Sequence, residues 1–282
     1  MTVTAVSSMD HGVVSVSVVV FHPDRQLLAR TFASLAEAGA ALAQAVPGTS
    51  IHLYLVDNGG MPDMPDGGFA VLARAGIGCT VLGGHGNVGY GRGHNLAIAL
   101  ASSRYHLVLN PDVDIEPGAL VEAVAFLDAH PEAGLLTPAI VDDAGQLQYL
   151  CRQFPTLTDL FVRGFLPRAA RRPFEGRLAR YEMRAQINER DTIWDPPIVS
   201  GCFMLFRTDV LKKLAGFDAR YFLYFEDYDL SLRAHDVARV VYAPSVRVLH
   251  HGGGASRKGL AHIRMFLASA FKFYNRFGWK WL

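Results

Sequence analysis

Short β-branched runs alternate along this chain with longer stretches whose apolar residues recur at helical spacing. Residues 13–21 form a valine-rich run of the kind that makes a parallel strand buried on both faces. His22-Pro23-Asp24 interrupts it, and Leu27, Leu28, Leu35 and Leu42 then predict a helix over 26–45. Further strands are predicted at 51–56, 79–82 and 106–109, and helices near 69–75, 95–102 and 118–130. A strand near 134–137 runs into a hairpin turn at 142–145. A strand over 198–207, a helix over 209–214 and late strands at 240–242 and 246–250 follow. Strands alternating with helices predict an α/β fold with a mostly parallel, doubly wound sheet. Residues 1–12 read as a disordered leader, and the poorly periodic 151–195 as an excursion or lid.

Composition narrows the picture. The chain has 282 residues, 50% of them hydrophobic, enough for one large α/β domain or two fused lobes. A formal net charge of +1 gives no global attraction to nucleic acid. The charge is unevenly spread: residues 247–282 hold seven Lys or Arg and no acid, and 151–190 hold nine Arg against four acids. Cys79, Cys151 and Cys202 are far apart, with neither metal-ligand spacing nor a disulfide framework, as in a reducing cytoplasm. The N-terminus lacks signal-peptide character, and no run approaches the roughly 20 apolar residues of a bilayer span. A cytoplasmic protein is expected, soluble or peripheral at the inner face of the membrane.

The strand at 106–109 stops at Asn110-Pro111-Asp112-Val113-Asp114. Carboxylates spaced i, i+2 in extended backbone point to the same side. At a strand's carboxyl end they suit a hard divalent cation bridging to substrate phosphates, although Asp-x-Asp after Pro is also ordinary turn chemistry. Asp57, ending the strand before it, is placed either to bind a nucleobase or ribose or to form an Asp-Asn-Gly turn. The glycine-rich segment 83–95 enters a helix, where free N–H groups serve a diphosphate or sugar, or it is a plain flexible loop. Glu226, Asp227 and Asp229 sit among four aromatics, where partial desolvation raises a carboxylate's pKa and improves it as a general base; at a helix start they also complement the dipole. His250 and His251, at a strand end before a glycine run, are metal ligands or a structural pair.

In order along the chain, Val18-Val19-Val20, Val56-Asp57-Asn58-Gly59, Asn87-Val88-Gly89-Tyr90-Gly91 with Asn95, Leu109 to Asp114, Ser200-Gly201-Cys202, Gly216-Phe217-Asp218, and Glu226 to Leu230 with Arg233 resemble the family 2 inverting glycosyltransferases of GT-A fold. The similarity runs from Val14 to about Ser256 and is strongest to the dTDP-rhamnosyltransferases of O-antigen and other surface polysaccharides. It implies that Asp57 contacts the base and that Asn87, Gly89, Asn95 and Asn110 line the donor nucleotide-sugar site. Asp114 would bind Mn²⁺ or Mg²⁺ directly, with Asp112 nearer the nucleotide sugar and His251 as a further ligand. Asp227 would be the general base and Glu226 its neighbour, with Gly201, Asp229 and Arg233 on the acceptor side. The chain has Phe21-His22-Pro23 where the family has Thr-Tyr-Asn or similar, and it lacks the Gln-x-x-Arg-Trp motif and membrane region of the processive synthases. Single-sugar transfer is therefore expected, with inversion, to a saccharide or polyprenyl-diphosphate-linked acceptor.

The implied layout is a GT-A domain over 13–256, divided into a nucleotide-sugar-binding half at 13–115 and an acceptor half at 116–256, with a basic aromatic helix over 257–282. That helix suits either an anionic membrane surface or a packing role in the core or a homodimer. Competing functions are transfer from UDP-sugars, nucleotidyl transfer and a non-catalytic sugar-binding module. A nucleotidyltransferase should carry its glycine loop just after the first strand, where Phe21-His22-Pro23 stands instead.

Overall fold

The structure, a computed structural model, describes residues 2–6, 12–62, 68–252 and 259–282. The first half comprises β1 (Thr2–Val6), β2 (Val14–Val20), α1 (Arg25–Ala45), β3 (Ile51–Asp57), α2 (Gly68–Arg74), β4 (Gly78–Gly83), α3 (Tyr90–Leu100), β5 (Tyr105–Leu109) and β6 (Val113–Ile115). The second comprises α4 (Ala119–Ala129), β7 (Ala133–Val141), α5 (Leu157–Phe165), α6 (Glu175–Tyr181), β8 (Ile193–Trp194), β9 (Phe203–Arg207), α7 (Thr208–Lys213), α8 (Glu226–Ala234), β10 (Arg239–His250) and α9 (Leu260–Phe277).

Among the described residues all ten strands join one sheet, ordered β1-β4-β3-β2-β5-β9-β7-β10-β6, with β8 also pairing β10. β4, β3, β2 and β5 are parallel, as their continuous apolar runs require. β9 enters antiparallel to both β5 and β7, and β6 lies antiparallel to β10. Leu28, Phe32 and Leu35 of α1 pack with Leu72 of α2 and Leu120 of α4 on one side of the sheet. Ile98 of α3, Leu211 of α7 and Leu230 of α8 cover the other. Each such side chain, fully removed from water, contributes about 1.5–3 kcal/mol. α9 forms a third cluster, with Phe273 and Tyr274 against Tyr221 and Phe225.

Local chemistry sets the element boundaries. Asp24 caps α1 by accepting from Gln26 N at 2.8 Å and Leu27 N at 3.1 Å. α3 begins at Tyr90, five residues before the expected start, because its glycines serve packing. Cβ atoms on Gly91 and Gly93 would lie 2.8 Å from Phe217 Cβ and 2.9 Å from Val19 Cγ1. Gly89 caps the helix at φ +91°, and a Cβ there would lie 2.3 Å from the Phe222 carbonyl oxygen.

Three expectations are corrected. Thr2–Val6 of the supposed leader pairs antiparallel with β4. The two late strands are one, β10, with a register shift between Ala243 and Arg247 around Pro244, which has no N–H to give the ladder. The arginine-rich segment, expected to be poorly periodic, holds the helices α5 and α6, and three of its arginines pair with acids: Arg177 with Asp159 at 2.6 Å, Arg184 with Glu175 and Glu182 at 2.6 Å each, Arg163 with Glu182 at 3.3 Å. Residues 253–256, the end of the expected GT-A domain, lie outside the described residues. No helix among the described residues is long and apolar enough to cross a membrane.

Candidate active site

The parallel strands β2, β3, β4 and β5 end along one edge, the place where ligands collect in an open α/β sheet. There Asp57 Oδ1 accepts from Gly59 N at 2.8 Å, an Asx turn at the end of β3. The buried Asn58, which the sequence reading left without a role, holds the glycine-rich segment to this turn. Its Nδ2 donates to Gly89 O at 3.1 Å, and its Oδ1 lies 3.0 Å from His85 Nε2. Asn87 Oδ1 accepts from Gly89 N at 3.0 Å. The segment is thus tied down at both ends. Asn95, expected to line the donor site, spends its amide on Phe217, donating to its O at 2.7 Å and accepting from its N at 2.8 Å. It fixes α3 to the Gly216-Phe217-Asp218 turn.

Past β5, the chain carries Asp112 and Asp114 into β6, where Asp114 stands opposite Leu249 of β10. His251 N donates to Asp112 O at 3.0 Å, and His251 Nε2 reaches Asp114 Oδ2 at 3.0 Å while Nδ1 meets Asp143. His250 Nε2 is 3.6 Å from Asp112 Oδ1, and burial lowers its pKa. Arg30, which the sequence reading missed, donates to Asp114 Oδ2 from Nη2 at 2.6 Å and from Nε at 3.1 Å. Asp112 Oδ1 and Asp114 Oδ1 are buried without a hydrogen-bond partner. Two orphaned carboxylate oxygens next to an imidazole offer the donor chemistry of a Mn²⁺ or Mg²⁺ site. Among the described residues, however, no three His, Cys, Asp or Glu side chains are already arranged to hold a metal ion.

The second cluster opens α8. Tyr224 at φ +73° and Phe225 at φ +65° are both left-handed, a costly conformation for aromatic residues, and they deliver Glu226 and Asp227 into the first turn. Asp227 Oδ2 accepts from Gly201 N at 3.0 Å, and Oδ1 from Tyr228 N at 3.0 Å. The Tyr90 hydroxyl lies 2.7 Å from Gly201 O and 3.0 Å from Asn110 Oδ1. A polar path therefore runs from the Asp-x-Asp segment through Asn110, Tyr90 and Gly201 to Asp227. Tyr90 was quoted in the sequence motif without a role; burial, with the charges of Asp227 and Glu226, pushes its pKa well up and keeps its proton in place.

The two carboxyls differ in surroundings. Burial pushes Glu226 up to about 8, helped by the charge of Asp227, and Glu226 Oε2 has no hydrogen-bond partner. Burial also raises Asp227, but two N–H donors and the nearby Arg152 guanidinium pull it back toward the ionised form. Arg152 is itself buried, donates to Cys151 O at 3.2 Å and lies over the Tyr181 ring, whose hydroxyl is 2.7 Å from that of Tyr228. With two N–H donors against an unpartnered Glu226 Oε2, Asp227 carries a negative charge more readily than Glu226. Cys202, with its thiol pushed up to about 12 by burial, is inert here. Asp229 and Arg233, expected near the acceptor, instead form a buried pair at 2.5 Å, with Arg233 donating to Leu214 O and Gly216 O and Arg276 closing on Asp229 at 2.9 Å. They brace α8.

The sequence profile of glycosyl transferase family 2 matches residues 15–215, and the chain belongs to that family. It is 32% identical over 217 residues to the N-acetylglucosaminyl-diphospho-decaprenol L-rhamnosyltransferase of Mycobacterium tuberculosis, covering 71% of this chain and 66% of the relative. The chain thus spans just under two thirds of that relative's length. Rhamnosyltransferase WbbL of Escherichia coli K12 is 27% identical over 201 residues, covering 68% of this chain and 72% of its own. Among solved structures, residues 1–349 of S. aureus TarS superpose with a TM-score of 0.56 at 16% identity, over 93% of this chain and 72% of that one. GalNAc-T7 with UDP, GalNAc and Mn²⁺ superposes with a TM-score of 0.63 at 12% identity, over 95% and 48%. The architecture is the anticipated GT-A fold.

Proposed function

We propose that this chain transfers a single L-rhamnose from dTDP-L-rhamnose to a lipid-linked saccharide, with inversion and with the aid of a divalent cation. The observation that carries the reading is the polar path from Asn110 through Tyr90 and Gly201 to Asp227, which couples the Asp-x-Asp edge of the sheet to one poised carboxylate. The names of the mycobacterial and E. coli relatives support the rhamnosyl donor, and that of the former supports a diphospholipid acceptor.

In this mechanism Asp227 takes the proton of an acceptor hydroxyl as its oxygen attacks the anomeric carbon. The bond from that carbon to the diphosphate oxygen breaks, and the nucleoside diphosphate leaves with the electron pair. A positioned base of this kind contributes about 10²–10⁴-fold. Glu226, buried and protonated, adds no competing anion, and a single ionised carboxylate gives a single displacement and hence inversion. Asp57, Asn87 and Gly89 border the donor, with Asn58 and Asn95 holding that border in shape. Asp112, Asp114 and His251 would hold Mn²⁺ or Mg²⁺, which supplies charge neutralisation at the leaving diphosphate.

Calorimetric titration with dTDP, UDP, GDP and their sugar conjugates, with Mn²⁺ and with EDTA, tests the reading. Binding of dTDP-L-rhamnose in preference to UDP-sugars, lost on chelation, is expected. Preference for a UDP-sugar would move the donor assignment, and binding of no nucleotide at all would overturn it.

A further inference from the structure

α9 turns its two sides to different surroundings. Phe273 and Tyr274 are fully buried, whereas Leu260, Leu267 and Phe271, spaced i, i+7, i+11 on the other side, are 80%, 55% and 58% exposed. The apolar strip does not end with the helix. Phe271 meets Trp279 at 5.8 Å between ring centroids, and Trp279 meets Trp281 at 6.2 Å. Lys280 O and Trp281 O then accept from Leu157 N and from the Thr158 hydroxyl, at 2.9 Å and 2.7 Å. Thr158 shares a face of α5 with Phe161 and Phe165, which stack on each other in the open. The exposed apolar residues of two helices and the final segment thus form one continuous surface, larger than scattered surface hydrophobics account for.

The charges that residues 259–282 leave unpaired have one sign. Residues 259–282 include no acid, and Arg276 is paired with Asp218 at 2.7 Å and Asp229 at 2.9 Å, which leaves Arg264, Lys272 and Lys280 without a carboxylate partner among the described residues. The nearby carboxylates are already engaged, Asp218 and Asp229 with Arg276, Asp159 with Arg177, and Glu182 with Arg163 and Arg184. Two copies apposed through this same face would set cation against cation. Aliphatic and aromatic side chains rimmed by uncompensated cations match instead the boundary between acyl chains and anionic headgroups.

We propose that the outer face of α9, continued by Trp281 and by Phe161 and Phe165 of α5, seats the protein on the surface of an anionic lipid bilayer. The inner face of the same helix packs on the turn before the candidate base, with Phe266 and Phe273 each 5.2 Å from Phe225 between ring centroids. The bilayer surface then lies about one helix diameter, roughly 10 Å, from the segment that carries Asp227. This deepens the lipid-linked acceptor reading, yet its test needs no turnover.

The full-length chain is sedimented with vesicles of phosphatidylglycerol or of phosphatidylcholine, at low and high salt, with folding checked by circular dichroism. It should pellet with phosphatidylglycerol at low salt and remain in solution with phosphatidylcholine. Leu267→Glu combined with Phe271→Glu, both at positions more than half exposed and so compatible with the fold, should abolish pelleting. Arg264→Gln should weaken partitioning about fivefold, the effect of one cation near an anionic surface. Absence of pelleting with phosphatidylglycerol, or pelleting that neither variant changes, overturns the proposal. So does a concentration-dependent dimer in sedimentation velocity that the double variant dissolves.

Discussion

Gly201 donates its N–H to Asp227 Oδ2 at 3.0 Å, and the two residues are so close that a Cβ on Gly201 would lie 3.2 Å from that of Asp227. The donor that orients the carboxylate is therefore also the wall behind it. Gly201→Ala should push Asp227 off its position by a few tenths of an ångström and lower kcat about 10- to 100-fold, as small misplacements of a reacting group do, with little change in donor KM. Asp227→Asn should lower kcat by about 10²–10⁴-fold while dTDP binding by calorimetry stays as in the parent chain. A glycine variant with altered KM and intact kcat would remove the positioning role from Gly201.

Glu226 ties stability to pH. Its folded-state pKa is about 8 against an ordinary 4.5, so the unfolded chain releases this proton first as pH rises. The stabilisation is complete below about 4.5 and is lost as pH climbs toward 8, at up to about 1.4 kcal/mol per pH unit. Glu226→Gln removes that slope. The variant should melt progressively higher than the parent as the buffer is taken from pH 5 to pH 8, in parallel thermal scans; parallel curves would place the Glu226 proton elsewhere.

A second pH dependence, of opposite sign, sits in the core. Burial pushes His106 down to about 3, and His94, also fully buried, well below its usual value. Their rings are bonded to Ser15 and Ser17, at 2.7 Å from His106 Nδ1 to Ser15 and from His94 Nδ1 to Ser17. Both are neutral in the fold, so the stabilisation is complete above about 6.5 and is lost as pH falls toward 3, by up to about 1.4 kcal/mol per pH unit per histidine. Urea midpoints at pH 7 and pH 5 for the parent and for His106→Gln should show a shallower decline in the variant. An equal decline would clear His106 of the effect.

The metal assignment predicts a binding change that can be read without turnover. His251→Ala and Asp114→Asn should each weaken Mn²⁺ binding by at least the roughly 10–100-fold that even an outer-shell partner contributes, measured by calorimetry or Mn²⁺ paramagnetic resonance. If His250→Ala has that effect and His251→Ala does not, the imidazole ligand is its neighbour.

The central parallel strands and α1 were legible because a valine run and leucines at helical spacing have few other uses. The direction of β9 was not, since an apolar run carries no information about which way it will pair. α3 was read five residues short because glycines look like loop; Gly91 and Gly93 are small to let the helix press on Phe217 and Val19. The Asp-x-Asp pair and the histidines, which chain order singles out, do come together at the end of β5, with His251 Nε2 3.0 Å from Asp114 Oδ2. Asn58, Tyr90 and Arg152 could not be singled out that way, because each acts through a partner more than 20 residues away in the chain or through burial: Asn58 on Gly89, Tyr90 on Gly201, Arg152 within reach of Asp227. Asp229 and Arg233 misled for the opposite reason. Charged residues beside a candidate base look functional until the fold shows them tied to each other and to Leu214 and Gly216.

The placement of β9 bears on how the molecule could ever be divided. β5 has β2 on one side, but its other neighbour, β9, comes from the second part of the chain, and β9 in turn joins it to β7. Cleavage near residue 116 would leave β5 in one fragment and β9 in the other with a bare row of main-chain donors and acceptors, the template for edge-to-edge aggregation. The parts of the chain before and after residue 116 are therefore not separable modules: they share one sheet and should melt together in a single calorimetric transition.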